Sequence, residues 1–482
     1  HEEPPRRREG ADELGDAERE LGGYFIDFIP DREVIARYGL KVMDVLSVVE
    51  TAIGGSYFMP MRRINLLQLG DLHLPTAAAL PRNIDDKDKS FSIELKNKIS
   101  TSPLKQVLKQ CHELIATGQV DAVLHMGDLT DRGDQSGYRA GIEFLSMALQ
   151  IGNGKKYENL PIGVVPGNHD ISRVLAGSPG MNEKFHPLER ALLDNGIENF
   201  PYNRCTQIQI SGAEDCLTLN LMNSCWGCGA KENIPEAFRD AIATAIDAVL
   251  AKTGTTGLDS YYDRQLDTPA FSDATIQHIN QIFQTTSANH LHVFIAHHNF
   301  LPQRLARVAP YTELVNSGAL RAALLEANRP SIYLHGHIHD DPIEILKLPA
   351  GHNVVSISAP ELSNGFNNVE LIFSELGMPL ACKITPWRFN KTGHLVRQDQ
   401  ETISLTSRKR RIKIHSSDSI LSGLMTKSPV YWSELVELSL SLSHPLSEDK
   451  LHEEVEILLA EQLITIENYQ SDPKHWIVGF AL

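Results

Sequence analysis

Short apolar runs that alternate with stretches of helical pattern constrain the fold of this chain more than any other feature. Each run is bounded by Gly, Pro, Asn or Asp, as the strands of layered proteins commonly are. Helical patterns lie between several of them, for example at 92–118 and 272–288. Strands that alternate with helices predict an α/β core. The apolar runs span residues 64–70, 121–127, 161–167, 216–224, 291–298, 331–337 and 353–360.

Residue types that bind metals come at the ends of five of these runs. If the runs are neighbouring strands, the residues after them gather at one edge of the sheet, where the ligand crevices of open α/β sheets lie. Independent loops would not place every group at the same edge. The residues are Asp71, His73, Asp128, Asn168, His169, Asp170, His297, His337 and His339.

The composition argues against several classes of protein. The chain has 482 residues, 42% of them hydrophobic, which is enough for two or three globular domains. No apolar run approaches the roughly 20 residues that span a bilayer, so we expect a soluble, cytoplasmic protein without a membrane partner. A formal charge of −16 argues against a nucleic-acid partner, since duplex-binding proteins need a basic face. The short basic run at 407–415 is more typical of a solvated linker.

The six cysteines are too sparse and irregular for a disulfide framework. Cys225 and Cys228, in "CWGC", have the spacing of a redox or zinc pair, but no second pair stands at zinc-ribbon distance. The preceding "LTLNLMNS" is typical of a buried strand that runs into a turn. Two buried thiols are therefore the favoured interpretation, and a metal or redox role is the alternative.

The two ends of the chain differ in pattern from its middle. Residues 1–20 are almost wholly charged or small and are predicted to be disordered, and 22–55 resemble a segment of heavy-metal efflux pumps of the resistance-nodulation-division type. The first strand follows Met61 at once, so we expect 1–60 to be a disordered or fused N-terminal extension. Residues 421–482 are patterned as helix, helix and two strands, which is the order of a winged-helix module.

The domain organisation follows from these shifts in pattern. The main domain is predicted at 61–400, a linker at 401–420 and the winged-helix-like module at 421–482. The stretch 171–290 is too long for one connection and is predicted to contain a cap-like insertion. The module has three lysines and ten acidic residues, a formal charge of −7, which favours packing or dimerisation over nucleic-acid binding.

The groups at the strand ends resemble the motifs of calcineurin-like metallophosphoesterases. In order, "GDLH", "GDLTD", "GNHD", "HH" and "GHIH" match D-x-H, G-D-x-x-D, G-N-H-D, one histidine of a pair and G-H-x-H. One such motif is weak evidence, whereas five in order make coincidence improbable. The resemblance covers about 61–390, and "GDLTDRG", "VVPGNHD" and "HGHIHD" are most similar to the bacterial cyclic-nucleotide phosphodiesterase branch. It implies a four-layer α/β/β/α sandwich, here with an inserted cap and a small C-terminal module.

The resemblance also implies a dinuclear metal centre. The first metal would be held by Asp71, His73, Asp128 and His339, and the second by Asp128, Asn168, His297 and His337. The Asp128 carboxylate would bridge the two ions. Mixed imidazole and oxygen ligands suit Mn, Fe or Zn better than Ca or a lone Mg.

Three further residues receive roles from the same resemblance. His169 would stabilise the pentacoordinate phosphorus or protonate the leaving alkoxide, a task suited to an imidazole near neutral pH. Asp170 and Asp131 would orient the ligand histidines. For Asp131 a helix cap or salt bridge is an alternative of similar weight.

Two of the motifs leave alternatives open. The family usually has proline two residues after the ligand of the histidine pair, where this chain has Asn299. That register favours His297 over His298 as the ligand but weakens the match. His335 precedes the last motif and is predicted to pack at a strand end.

The activity implied by the resemblance is hydrolysis of phosphoric esters. The favoured hypothesis is a phosphodiesterase that acts on small organic phosphates such as cyclic nucleotides. Its nucleophile would be a metal-bound hydroxide, and some activity on mono- and triesters is expected. A nuclease of the same family is one alternative, and it would need a basic groove that the sequence does not show. A metal-bound scaffold without catalysis is the other, disfavoured because every ligand position is filled. Self-association is expected through the C-terminal module.

Overall fold

A computed structural model provides the structure of the chain. Three predictions fall outside the residues that it describes: those on 1–60, on the basic run 407–415 and on Asp131. The described residues are 62–73, 103–130, 133, 135–172, 182–229, 236–253, 267–302, 314–339, 342–374, 377–406, 419–460, 463–469 and 471–481.

The first sheet joins a parallel half to an antiparallel half. Its order is β12-β11-β10-β1-β2-β3, with β13 also paired to β11. β1, β2 and β3 run parallel, and β10 pairs with β1 in antiparallel register. The strands are β1 (Arg62–Leu69), β2 (Ala122–His125), β3 (Ile162–Val164), β10 (Gly365–Phe373), β11 (Pro379–Phe389), β12 (Leu395–Arg397) and β13 (Glu401–Ser404).

The second sheet is parallel at its centre and closed by an antiparallel strand at each edge. Its order is β4-β5-β6-β7-β9-β8. β5, β6, β7 and β9 run parallel, whereas β4 and β8 pair antiparallel with their neighbours. The strands are β4 (Thr206–Ile208), β5 (Leu217–Leu221), β6 (Leu291–Ile295), β7 (Ser331–His335), β8 (Ile343–Lys347) and β9 (Asn353–Ser358).

The two sheets pack face to face, and helices cover both outer faces. Leu66 and Leu124 of the first sheet share a buried core with Leu219 and Val293 of the second, as expected of stacked sheets with apolar inner faces. Helices α1 (Leu104–Ala116), α2 (Gln135–Leu149) and α3 (His186–Leu193) cover the first sheet, and α5 (Asp273–Thr285) and α6 (Ser317–Ala327) cover the second. The predicted α/β/β/α sandwich is confirmed.

The stretch 171–290 contributes to the sandwich as well as to its surface. Strands β4 and β5 and helix α5 from this stretch belong to the second sheet and its outer layer. Helix α4 (Glu236–Thr253) lies against the first sheet's outer core through Ile242 and Ile246. None of the described helices has the length and apolar character required to cross a membrane.

The C-terminal residues form a small helical unit with its own core and sheet. Its strand order is β14-β16-β15, and Trp432, Leu435, Leu451 and Trp476 are buried in its core. The predicted order of helix, helix and two strands is present, with one more short helix and strand before it. The elements are α7 (Ile420–Lys427), β14 (Val430–Tyr431), α8 (Trp432–Leu440), α9 (Glu448–Ala460), β15 (Ile464–Glu467) and β16 (Ile477–Phe480).

Candidate metal centre

The predicted ligands lie at the carboxyl ends of the central strands of both sheets. Parallel strands point their carboxyl ends to the same edge, so the residues after β1, β2 and β3 meet there. The residues after β6 and β7 reach the same place from the facing sheet. The shared edge is thus a direct consequence of the strand pairing.

The first half of the centre contains Asp71, His73 and His339. His339 Nε2 lies 2.8 Å from Asp71 Oδ2, and His73 Nε2 lies 3.2 Å from His339 Nε2. Their potential ligand atoms all lie within 4.8 Å of one another. The Asp71 side chain is 1% exposed, whereas that of His339 is 42% exposed. This half of the centre is therefore open to solvent on its imidazole side.

The second half contains Asp128, Asn168 and His297 and is closed. His297 Nε2 lies 3.2 Å from Asp128 Oδ2 and 3.0 Å from Asn168 Oδ1. The other ring nitrogen, Nδ1, donates to the Met126 carbonyl oxygen at 2.7 Å. This bond orients the ring so that Nε2 faces the centre. The His297 side chain is fully buried.

Asp128 lies between the two halves. Its Oδ2 is 3.2 Å from His297 Nε2 in the closed half and 3.8 Å from His73 Nε2 in the open half. Its Oδ1 accepts a hydrogen bond from the His169 backbone N–H at 2.8 Å. The Asp128 carboxylate thus lies between a histidine of the closed half and a histidine of the open half.

His337 joins the closed half from the end of β7. Its ring centroid lies 5.0 Å from that of His297, and its backbone N–H donates to Asp71 Oδ2 at 3.1 Å. His298 lies behind it, with ring centroids 4.4 Å apart, and turns its Nδ1 toward Ser224 Oγ at 2.9 Å. The structure brings His297, rather than His298, next to the two carboxylates.

Backbone conformation at four of the predicted ligands is unusual for residues with a side chain. His73, Asp128, His337 and His339 have φ values of 44°, 53°, 70° and 53°. Positive φ is rare outside glycine, and it is retained where the surrounding structure enforces it, often at functional sites. The ligand loops are thus held in conformations that their own residues do not favour.

Glycine allows the ligand loops to approach one another. A Cβ on Gly167 would lie 2.1 Å from Asp128 Oδ1, and a Cβ on Gly336 would lie 2.5 Å from Asp71 Oδ1. Both distances are shorter than any normal nonbonded contact. The glycines of "PGNHD" and "HGHIH" are therefore required by the packing of the two carboxylates.

The carboxylates and imidazoles of the centre shift one another's pKa. Burial opposes ionisation of Asp128, but the neighbouring His297 and His169 outweigh it and hold its pKa well below the usual value. Burial likewise opposes protonation of His297, but the charges of Asp128 and Asp71 raise its pKa well above the usual value. The attraction between Asp128 and His297 therefore keeps the Asp128 carboxylate ionised, as a metal ligand must be.

His169 and Asp170 lie beside the ligands. The His169 ring meets that of His73 edge to face, with centroids 4.9 Å apart, on the open side of the centre. The Asp170 carboxylate accepts hydrogen bonds from the backbone N–H groups of Thr130 and Gly167, both at 3.0 Å. Burial, followed by the charge of Asp128, raises the pKa of Asp170 to about 7. In the structure Asp170 joins the loops that carry Asp128 and Asn168.

One positioning residue, Asp267, was not found from the sequence. Its Oδ2 accepts a hydrogen bond from Asn168 Nδ2 at 2.7 Å, so the amide oxygen of Asn168 is directed to His297. Asp267 stands outside every motif, and a lone acidic residue 99 positions from its partner gives no sequence signal. The family usually has proline at the position of Asn299. In this chain Asn299 Nδ2 donates a hydrogen bond to the Leu301 carbonyl oxygen at 2.6 Å and closes the turn that follows the histidine pair.

The arrangement fits two metal ions. Asp71, His73 and His339 form one group of potential ligand atoms within 4.8 Å, and Asp71, Asp128 and His297 form another. The two overlapping groups offer carboxylate and imidazole donors, the set suited to transition metals.

His335 belongs to neither of these two groups. It is the buried last residue of β7, and its Nδ1 lies 3.2 Å from the Gly336 carbonyl oxygen.

Comparison with known proteins identifies a family for this chain. Residues 64–341 match the model of the family described as calcineurin-like phosphoesterase. No significant match was found among curated protein sequences.

The solved structures that match this chain are distant in sequence. A dimetal phosphatase from Danio rerio is 12% identical, with 71% of this chain and 99% of that chain covered and a TM-score of 0.41. A purple acid phosphatase from yellow lupin is 11% identical, with 75% and 56% covered and a TM-score of 0.42. The NAD nucleotidase of Haemophilus influenzae is 12% identical, with 84% and 62% covered and a TM-score of 0.35. The family match covers more than half of the sequence, and the chain belongs to the calcineurin-like phosphoesterase family.

Proposed function

We propose that this phosphoesterase is a phosphodiesterase that cleaves small organic phosphates such as cyclic nucleotides, with Mn, Fe or Zn bound, in the cytoplasm. The observation that carries the proposal is the position of Asp128 Oδ2 between His297 Nε2 and His73 Nε2, at 3.2 and 3.8 Å. A carboxylate in that position can hold two metals side by side, as phosphoryl transfer by two ions requires. The similarity of "GDLTDRG" and "HGHIHD" to the cyclic-nucleotide branch supports the choice of diester.

The residues around the centre have separate tasks in this reaction. When bound, two metal ions would activate a water molecule and polarise the phosphoryl oxygens. His169, on the open side and adjacent to His73, is placed to donate a proton to the leaving oxygen. Met126 orients the His297 ring, and Asp267 holds the Asn168 amide in one orientation. A substrate enters from the side on which His339 is exposed.

Charge supports a small substrate rather than a long polyanion. The chain has a formal charge of −16, and residues 421–482 have a formal charge of −7. A nucleic-acid substrate would meet repulsion over most of its length, whereas a single phosphate group needs only the local metal charge.

The experiment is a substrate panel on chelated protein that receives Mn, Fe or Zn one at a time. The panel contains cyclic nucleotides, a chromogenic diester, a monoester and a triester. We expect diester hydrolysis that depends on added metal and that Asp128→Asn abolishes. We expect His169→Ala to lower kcat about 10²- to 10⁴-fold, the usual contribution of a general acid, while it retains the same metal content.

The control variant is His394→Ala, since His394 is exposed and lies in a turn after β11. It should match the wild type in both turnover and metal content. Undiminished turnover by Asp128→Asn would contradict the proposal. So would a kcat/KM for the monoester that exceeds that of every diester, because the enzyme would then be a phosphatase.

A further inference from the structure

A second group of metal-binding side chains lies behind the dinuclear centre. Cys225, Cys228 and His298 are fully buried, and one potential ligand atom of each lies within 4.8 Å of the others. The cysteines come from "CWGC" after β5, and His298 follows the ligand His297. Neither thiolate belongs to the predicted dinuclear set, whose donors are imidazole and oxygen.

The local backbone turns both thiols toward one point. The Cys228 N–H donates to the Cys225 carbonyl oxygen at 3.0 Å, which closes the tight turn of a C-x-x-C segment. Cys225 Sγ lies 3.9 Å from His298 Nδ1, and the same ring nitrogen lies 2.9 Å from Ser224 Oγ. Both cysteines are free thiols. Two cysteines at this spacing with a histidine are a typical partial ligand set for zinc.

The Asp267 carboxylate lies beside Cys228 at the edge of this group. Its carboxylate interacts with the Cys228 thiol and also accepts the hydrogen bond from Asn168. Its second oxygen, Oδ1, is buried and has no hydrogen-bond partner among the described residues. A buried carboxylate oxygen without a partner is costly, and a metal ion would satisfy it. Two thiolates, one imidazole and one carboxylate would make up the four donors of a tetrahedral zinc site.

A buried lysine balances the charge of such a site. Lys184 is 2% exposed, and its Nζ donates to the carbonyl oxygens of Trp226, at 2.7 Å, and Cys228. A divalent ion with two thiolates and a carboxylate carries one net negative charge. The ammonium group next to the "CWGC" turn offsets this charge in a region that water does not reach.

We propose that Cys225, Cys228, His298 and Asp267 bind a structural zinc ion, distinct from the dinuclear centre. Zinc suits these ligands because thiolate selects a soft or borderline d¹⁰ ion over Mn, Mg or Ca. Binding forms two Zn–S bonds and releases the two thiol protons to solvent. The ion ties the Asp267 carboxylate, and through it the Asn168 amide, to the turn after β5.

Cobalt substitution tests the site directly. Protein prepared with Co²⁺ in place of zinc should show a thiolate-to-cobalt charge-transfer band in the near ultraviolet and the intense visible bands of tetrahedral cobalt. The dinuclear centre has no thiolate and cannot give the charge-transfer band. The signal is therefore independent of whether the protein hydrolyses any phosphodiester, and so it separates this proposal from the proposed activity.

Metal content of variants provides the second measurement. Cys225→Ser with Cys228→Ser should lose the charge-transfer band and about one zinc equivalent per chain. Cys111→Ser is the matched control, since Cys111 is also a fully buried thiol but lies in α1. It should keep both the band and the metal.

Three results would overturn the proposal. The first is cobalt uptake by the wild-type protein without a charge-transfer band. This result does not depend on whether any variant folds. The second is equal zinc content in the double variant and the Cys111 control. The third is a mass two hydrogens lower than expected for the freshly purified chain under non-reducing conditions, assigned to a Cys225–Cys228 disulfide.

Discussion

Gly336 shows how a single side chain would alter the centre. A Cβ at this position would lie 2.5 Å from Asp71 Oδ1 and 3.1 Å from the Met126 Cβ. Neither neighbour can move freely, because both are buried beside the ligands. A side chain at position 336 would therefore displace the carboxylate of Asp71, a predicted metal ligand.

We predict that Gly336→Ala weakens metal binding by about 10- to 100-fold, the range seen when the support of a ligand is disturbed. Metal titration of chelated protein, monitored by calorimetry, measures the change. Gly318→Ala is the control, since Gly318 lies in α6 and a Cβ there meets nothing within 4 Å. That variant should bind metal normally and, as a helical Gly→Ala change, unfold slightly less readily. Equal affinities in the two variants would contradict the role of Gly336.

The sequence identifies ligands far better than it identifies their support. Asp71, Asp128 and His297 carry recognisable motifs because the chemistry restricts both residue type and spacing. Asp267 carries none, since any acidic residue that folding brings to Asn168 would serve equally well. The Met126 carbonyl that orients the His297 ring has no side-chain signature at all.

At the scale of elements, strand positions followed from apolar runs where both faces of a strand are buried. The run 291–298 contains β6 (Leu291–Ile295), whose residues are all buried. The antiparallel strands β10 and β11 were not predicted individually. In β10, part-buried Asn368 and Glu370 interrupt the buried residues, so the segment lacks a continuous apolar run. A continuous apolar run therefore predicts a strand that is buried on both faces, and it does not predict strands of other kinds.

Helix α9 connects the C-terminal unit to the first sheet. The Arg63 guanidinium donates to Glu453 Oε2 at 2.8 Å, and Ile457 packs with Ile372 and Leu380. Glu454 stands next to this ion pair. Burial raises the pKa of Glu454 to about 7, although Arg63 opposes the shift.

We predict that the contribution of Glu454 to the free energy of unfolding decreases as pH rises from about 4.5 to about 7. In this window the folded chain retains a proton that the unfolded chain has released, so higher pH favours unfolding. Glu454→Gln should remove this contribution, at most about 2 kcal/mol above pH 7, because the residue remains partly exposed. Urea denaturation of the full chain at pH 5 and pH 8 measures it.

Glu437→Gln is the control for that measurement, since Glu437 is exposed on α8. Its pH dependence should equal that of the wild type. If Glu454→Gln also follows the wild type at both pH values, the carboxyl is ionised in the folded chain and the prediction is wrong.

At the scale of the whole molecule, the alternating pattern was sufficient to predict an α/β layered core, whereas the two-sheet sandwich was implied only by the resemblance to the metallophosphoesterases. The sequence does not fix the pairing of strands across two sheets. Strand β1 pairs with β10, which lies near the other end of the domain in the sequence. Leu66 of β1 is the partner of Val369 of β10. Such long-range pairing depends on tertiary contacts that no local pattern contains.

The centre also contributes to the stability of the entire domain, since its ligands come from both sheets. We predict that removal of metal by a chelator lowers Tm by several degrees and that Mn restores it. An ion present at 100 times its Kd stabilises the folded state by about 2.7 kcal/mol. Differential scanning calorimetry measures the shift. Asp128→Asn should show no response to Mn, and an unchanged wild-type Tm after chelation would contradict the prediction.

The contrast between the two halves of the centre has a kinetic consequence. His297 is fully buried, whereas the His339 side chain is 42% exposed, so solvent reaches one half of the centre more easily. An ion in the closed half would therefore be less accessible to solvent and to chelators than an ion in the open half. The half-lives of the two ions should therefore differ, with the outer ion exchanging first and the inner one retaining the isotope with which it was loaded. The inner position would then retain the metal that the cell supplied when the protein folded.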